Sequence, residues 1–125
     1  MADRRKPTDA ELAILRVLWE RGRSTVREVA AAMGREGAYT TVLKLLQIMT
    51  DKGLVSRDQT ARTHVYEATS SAEQTQQQLV TDLVDKVFDG SAAKLVLQAL
   101  ASRKTSAAEL AEIRALIDKH RGRKS

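Results

Sequence analysis

The sequence predicts a mainly helical protein with one small β-hairpin. Three observations carry that prediction. Four hydroxyl residues are each followed three positions later by glutamate, just ahead of an apolar-periodic stretch, and that spacing marks a helix start. The apolar period changes once, to a short β-branched alternation after Gly53. The chain has 125 residues and no cysteine, so it is one domain or two small ones, without disulfides, thiolate zinc sites, iron–sulfur clusters or cysteine nucleophiles. A reducing cytoplasm suits such a chain.

The pairs are Thr8 with Glu11, Thr25 with Glu28, Ser70 with Glu73 and Ser106 with Glu109. In each, the hydroxyl accepts a free backbone N–H of the first turn while the glutamate reaches back to the cap residue. After Thr8, the residues Leu12, Ile14, Leu15, Leu18 and Trp19 fall in one arc with Arg16 and Glu20 opposite, and Gly22 ends the helix. Trp19 reads as core. After Thr25 a short helix carries Val26, Val29, Ala30 and Met33 up to the turn Gly34-Arg35-Glu36-Gly37. A third helix over about residues 38–52 stops at Gly53, the residue type favoured just past a helix end. Leu54-Val55-Ser56-Arg57-Asp58 and Thr63-His64-Val65-Tyr66-Glu67 then form a hairpin with a basic tip, joined by Gln59-Thr60-Ala61-Arg62. Next, Leu79, Val80, Leu83, Val84, Val87 and Phe88 make an i, i+3, i+4 stripe that ends at Asp89-Gly90. Ser91 caps a helix through Leu95, Val96, Ala99 and Leu100, the last helix holds Leu110, Ile113, Leu116 and Ile117, and residues 119–125 read as a basic, frayed tail.

Lys and Arg number 21 against 16 Asp and Glu, for a formal charge of +5. Up to residue 69 the count is 12 basic to 9 acidic, and beyond it 9 to 7, so placement rather than total charge has to carry the argument. Nowhere do apolar residues run the length of a membrane span, and a soluble, cytoplasmic protein is expected. Arg4, Arg5 and Lys6 are either an arm that reaches nucleic acid or a solvated terminus. With only Trp19, Tyr39, Tyr66 and Phe88 as aromatic residues, the chain lacks the stacking platforms of single-strand binders, so duplex is the expected form of any nucleic-acid partner. His64 and His120 share no motif, and no nucleophile elbow, phosphate-cradling glycine loop or paired carboxylates stand out. Neither an enzyme nor a metal site nor a cofactor is expected.

The third helix holds the functional signal. On a helical wheel, Val42, Leu43, Leu45, Leu46 and Met49 gather around Tyr39, while Thr40, Lys44, Gln47 and Asp51 fall within about 60° on the other side. A plain solvated face carries Glu and Lys at i, i+4. Here the first turns offer hydroxyls, an amide and a cation, groups that bond phosphates and base edges, and no acidic residue occurs between Ala38 and Thr50. A short helix, a glycine turn, a polar-striped helix and then a basic-tipped hairpin match a winged helix-turn-helix, whose second helix enters the major groove while the wing touches backbone or minor groove.

These segments also resemble a known family. Ala38-Tyr39-Thr40-Thr41-Val42, Leu46 running into Lys52-Gly53-Leu54-Val55, Thr25-Val26-Arg27-Glu28-Val29, Leu18-Trp19 and His64-Val65-Tyr66 look like the penicillinase-repressor family of bacteria, the BlaI/MecI/CopY type. The resemblance spans roughly residues 7–68, and more loosely 88–100. It implies a winged-helix repressor that binds a palindromic duplex operator as a homodimer through its C-terminal helices. Carried over by position, it assigns DNA contacts to Thr40, Thr41 and Lys44, and a wing contact to Arg62; Gln47 joins them from the helical wheel. In one branch of the family a sensor protease cuts an Asn-Phe bond, but the aligned pair here is Gln98-Ala99, so any regulatory protease is unknown. The copper-sensing branch uses cysteines, which this chain lacks.

The chain is accordingly expected to comprise a winged-helix DNA-binding domain, residues 1–69, and a helical dimerisation domain, residues 70–125. The second has too little chain to cover its own apolar stripes, which are buried most easily against a symmetric copy. Leu79, Leu83, Val84, Val87, Leu95, Leu110 and Ile113 are the expected interface. Two other classes stay open: a ligand-responsive winged-helix regulator, and a winged helix that binds a protein partner and no DNA.

Overall fold

The computed structural model describes residues 6–34, 36–60 and 62–123. Its elements are α1 (Asp9–Arg21), β1 (Ser24–Thr25), α2 (Val26–Ala32), a 3-10 turn (Glu36–Ala38), α3 (Tyr39–Lys52), β2 (Val55–Asp58), β3 (Val65–Ala68), α4 (Ala72–Val87), α5 (Ala92–Ser102) and α6 (Ala107–Arg123). Three helices, a wing and three further helices therefore follow the predicted order.

Local chemistry explains most helix starts. At α1 the Thr8 amide donates to Glu11 Oε1 at 2.9 Å and the Glu11 amide to Thr8 Oγ1 at 3.2 Å, and Thr25 with Glu28 repeats the exchange at 2.8 and 3.1 Å. Ser106 with Glu109 does so for α6, and Ser91 Oγ accepts from the Lys94 amide to start α5. The expected Ser70 cap is one residue out. Ser71 opens α4 instead, exchanging bonds with Gln74 at 2.9 and 3.1 Å, because glutamine serves the reciprocal role as well as glutamate does. The carbonyl of Ser70 meanwhile accepts from the Trp19 indole N–H at 2.9 Å, tying α1 to the segment that leads into α4.

A third strand was not foreseen. Ser24–Thr25 pairs antiparallel with β3, giving the order β1-β3-β2, with Ser24 opposite Tyr66 and Arg57 opposite Tyr66 on the other edge. Two residues are too short to show an alternation. Ser24 is buried, and its hydroxyl donates to the Gly22 carbonyl.

The core collects Ile14, Leu15 and Leu18 of α1, Val26, Val29 and Ala30 of α2, Val42, Leu46 and Met49 of α3, Val55 of β2 and Tyr66 of β3. Trp19 packs against it, half-buried, as a core residue. The Tyr66 hydroxyl, fully buried, has no hydrogen-bond partner among the described residues.

The chain divides into two compact units, the first ending at Val80 and the second beginning at Thr81, within α4. In the second unit Val84 is the one core residue among those described. Its last helix is longer than expected: residues 119–123, read above as frayed, continue α6. No proline interrupts them, and cations there oppose the negative end of the helix dipole. Among the described residues no helix is long and apolar enough to cross a membrane.

Candidate nucleic-acid interface

Burial on α3 follows the wheel closely. Val42, Leu46 and Met49 turn inward, whereas Thr40, Thr41, Lys44, Gln47 and Asp51 are exposed. Thr40, Lys44 and Gln47 thus share one face, with Thr41 at its margin. Tyr39 departs from the expectation of an apolar side centred on it, being 44% exposed. It is the first residue of the helix, and its side chain leans toward the N-terminus, past the end of the helix's own apolar face. Ile48, at 39% exposure, flanks the polar stripe; its wheel position between Lys44 and Thr41 was the signal available in the sequence.

The start of α3 differs from the other helix starts. Threonine or serine side chains cap α1, α2, α4, α5 and α6. At α3 the cap position is Ala38, no side chain accepts a first-turn N–H, and the first turn holds no acid. Among the described side chains none competes there with an anion, at the end where the dipole favours negative charge.

The far end of α3 is anchored. Lys52 Nζ donates to Glu11 Oε1 at 2.7 Å, and the same carboxylate accepts from the Thr8 amide. Glu11 is 2% exposed. Burial opposes its charge, but the bonds from Lys52 and Thr8 outweigh that and hold its carboxyl below the usual glutamate value. The end of α3 is therefore fixed to the first turn of α1.

Asp58 fixes the base of the wing. Its Oδ1 accepts from the Thr60 amide at 2.9 Å and the Thr60 hydroxyl at 2.6 Å, while Arg23 donates to Oδ2 at 2.5 Å. The Thr60 hydroxyl and amide, then Arg23, lower its carboxyl pKa, so the clamp stays charged in mild acid. Sequence reading missed this arrangement, although an aspartate two residues before a free amide is a turn signal. Arg62 and His64 are exposed beyond the clamp, on the hairpin and not on α3. Of the basic N-terminal run, Arg4 and Arg5 lie outside the described residues.

The other expected surface lies on α4 to α6. Leu83, Val87 and Leu110 are 43%, 62% and 45% exposed. Leu79, Leu95 and Ile113 are half-buried and Val84 is buried within its own chain. Gln98 and Ala99 are exposed on α5. Among the described residues no group of three His, Asp or Glu side chains converges as a metal site would require.

Comparison with curated proteins gives no significant match. The sequence profile of the family described as Penicillinase repressor matches residues 7–119, which takes in the winged unit and the helices beyond it. This chain therefore belongs to the penicillinase-repressor family, a family of transcriptional repressors and not of enzymes.

Proposed function

We propose that the protein represses transcription by binding a palindromic duplex operator as a homodimer, with α3 in the major groove, the wing on the flanking backbone and α4 to α6 forming the dimer. The observation that carries this reading is the exposed face of α3: Thr40, Thr41, Lys44 and Gln47, with no carboxylate before Asp51. Hydroxyls and an amide bond both phosphate oxygens and base edges, and the lysine adds the cation that draws phosphate. Arg62 supplies the wing contact, on a loop whose base the Asp58 clamp holds before DNA arrives.

Dimerisation rests on the apolar side chains that α4 to α6 leave exposed or half-buried, and Leu79, Leu83, Val87, Leu95, Leu110 and Ile113 are assigned to that interface. Val84 supports them from within the chain. A two-fold dimer presents two reading helices, and two half-sites supply the specificity that one short helix lacks.

The test is selection of bound fragments from random duplex DNA at two salt concentrations. A palindrome with half-sites one helical turn or a multiple apart, bound less tightly at higher salt, is expected. Salt-sensitive binding without any motif would make the protein an architectural binder, and no binding would favour the protein-partner alternative. Lys44→Ala is expected to weaken operator binding about 5- to 150-fold if the lysine reads a base, and less, equally on all sequences, if it meets only phosphate.

A further inference from the structure

Among the described residues of the first unit, the large apolar side chains that remain exposed are Tyr39 and Ile48 of α3 and, at the boundary within α4, Val80. Elsewhere in that part of the chain such side chains are buried or half-buried. Neither helix propensity nor the core accounts for Ile48. A β-branched residue is a poorer helix former than the leucine, lysine or glutamine around it, and it stands outside the core that Val42, Leu46 and Met49 enter. It lies one turn after Lys44 and next to Gln47, at the margin of the stripe assigned above to DNA.

A duplex offers one apolar group on the floor of its major groove, the C5-methyl of thymine. Every other base edge there presents a donor or an acceptor, which an isoleucine would desolvate without replacing. Phosphates, for the same reason, give Ile48 nothing. We propose that Ile48 is a specificity-determining residue that packs on a thymine methyl in each half-site, so that this repressor prefers thymine at that position over cytosine. This rests on the proposed reading of α3 as the DNA-reading helix. Under it Lys44 and Gln47 supply the polar contacts, and Ile48 supplies an apolar one that neither can make.

The experiment removes the methyl and nothing else. Each thymine of the selected operator is replaced in turn by deoxyuridine, and binding is measured for the wild-type chain, Ile48→Ala and the conservative Ile48→Val. At one thymine per half-site, loss of the methyl is expected to weaken wild-type binding about fourfold per contact, the equivalent of burying one methyl-sized group. Ile48→Ala should bind the thymine and deoxyuridine duplexes equally, and Ile48→Val should keep most of the difference. Because the site is exposed, Ile48→Ala is expected to melt like the wild type, which separates recognition from folding. Operator binding with the same deoxyuridine profile in wild type and Ile48→Ala would overturn this inference and leave the proposed function standing. Absence of duplex binding by the wild type would overturn both.

Discussion

Eleven side chains from α1, α2, α3, β2 and β3 meet in the winged unit to form a closed core. From Thr81 onward Val84 alone is buried among the described residues, while Leu83, Val87, Val96, Leu97, Leu110, Leu116 and Ile117 stay exposed. Helix formation is not what separates the two, since α4 and α6 start on serine caps as reciprocal as the threonine caps of α1 and α2, and α5 starts on a single serine cap bond. What differs is closure. The winged unit has strands and a crossing helix to cover each apolar stripe; the helical unit has stripes and little of its own to lay over them. Under the proposed dimer, stability is a property of one chain in the first unit and of mass action with a second copy in the other.

The strongest way to break that comparison is Leu83→Asp. A charge placed in an apolar dimer interface without a partner is strongly unfavourable. Sedimentation should report a monomer, and operator affinity should fall by about 100-fold as the linked second half-site is lost. A variant that still sediments as a dimer would place the interface elsewhere.

Two truncations sharpen it. Leu46→Ala, in the closed core, should cost about 3–5 kcal/mol in denaturant unfolding, whatever the protein concentration. Val87→Ala should lower the unfolding midpoint of the helical unit in a manner that depends on concentration, because its exposed side chain would be buried only in the proposed dimer.

Acid should act on the winged unit through Glu11. Its folded carboxyl titrates below its ordinary value of 4.5, so the stability gained from the Lys52 pair is complete above about that pH and disappears as pH falls through the lowered folded value. Glu11→Ala should cost about 3 kcal/mol near neutral pH by leaving Lys52 and the cap of α1 without their partner. Glu11→Gln should flatten the acid limb of the stability profile, measured by denaturant titration between pH 3 and pH 6.

The smallest expected effect belongs to Tyr66. Its buried hydroxyl lacks a partner among the described residues, so Tyr66→Phe removes a polar group that folding desolvates. Thermal unfolding should show stability unchanged or raised by up to about 1 kcal/mol.

Particular residues show why some of this was readable and some not. Thr8, Thr25, Ser91 and Ser106 were legible as caps because a cap and its partner are three residues apart. Ser70 was misread by one position, since Ser70 and Ser71 both sit at cap spacing and the distant Trp19 takes the Ser70 carbonyl. Tyr39 carried the right period but the wrong exposure, because a wheel has no ends. The polar stripe of α3 was visible in full; the clamp of Asp58 by Arg23 was not.

The sequence by itself determined where the helices begin and stop, that α3 has one apolar and one polar side, and that a hairpin follows it. Those features are settled within a turn or two, by caps, glycines and the 3.6-residue period. Tertiary structure decided that Ser24–Thr25 would be a strand, that Glu11 would hold the end of α3, and which apolar stripes would be covered. These depend on partners 35, 41 and 51 residues away, as for Arg23 with Asp58, Lys52 with Glu11 and Trp19 with Ser70. A linear pattern specifies which side of an element is apolar, but only the packed chain brings the group that covers it.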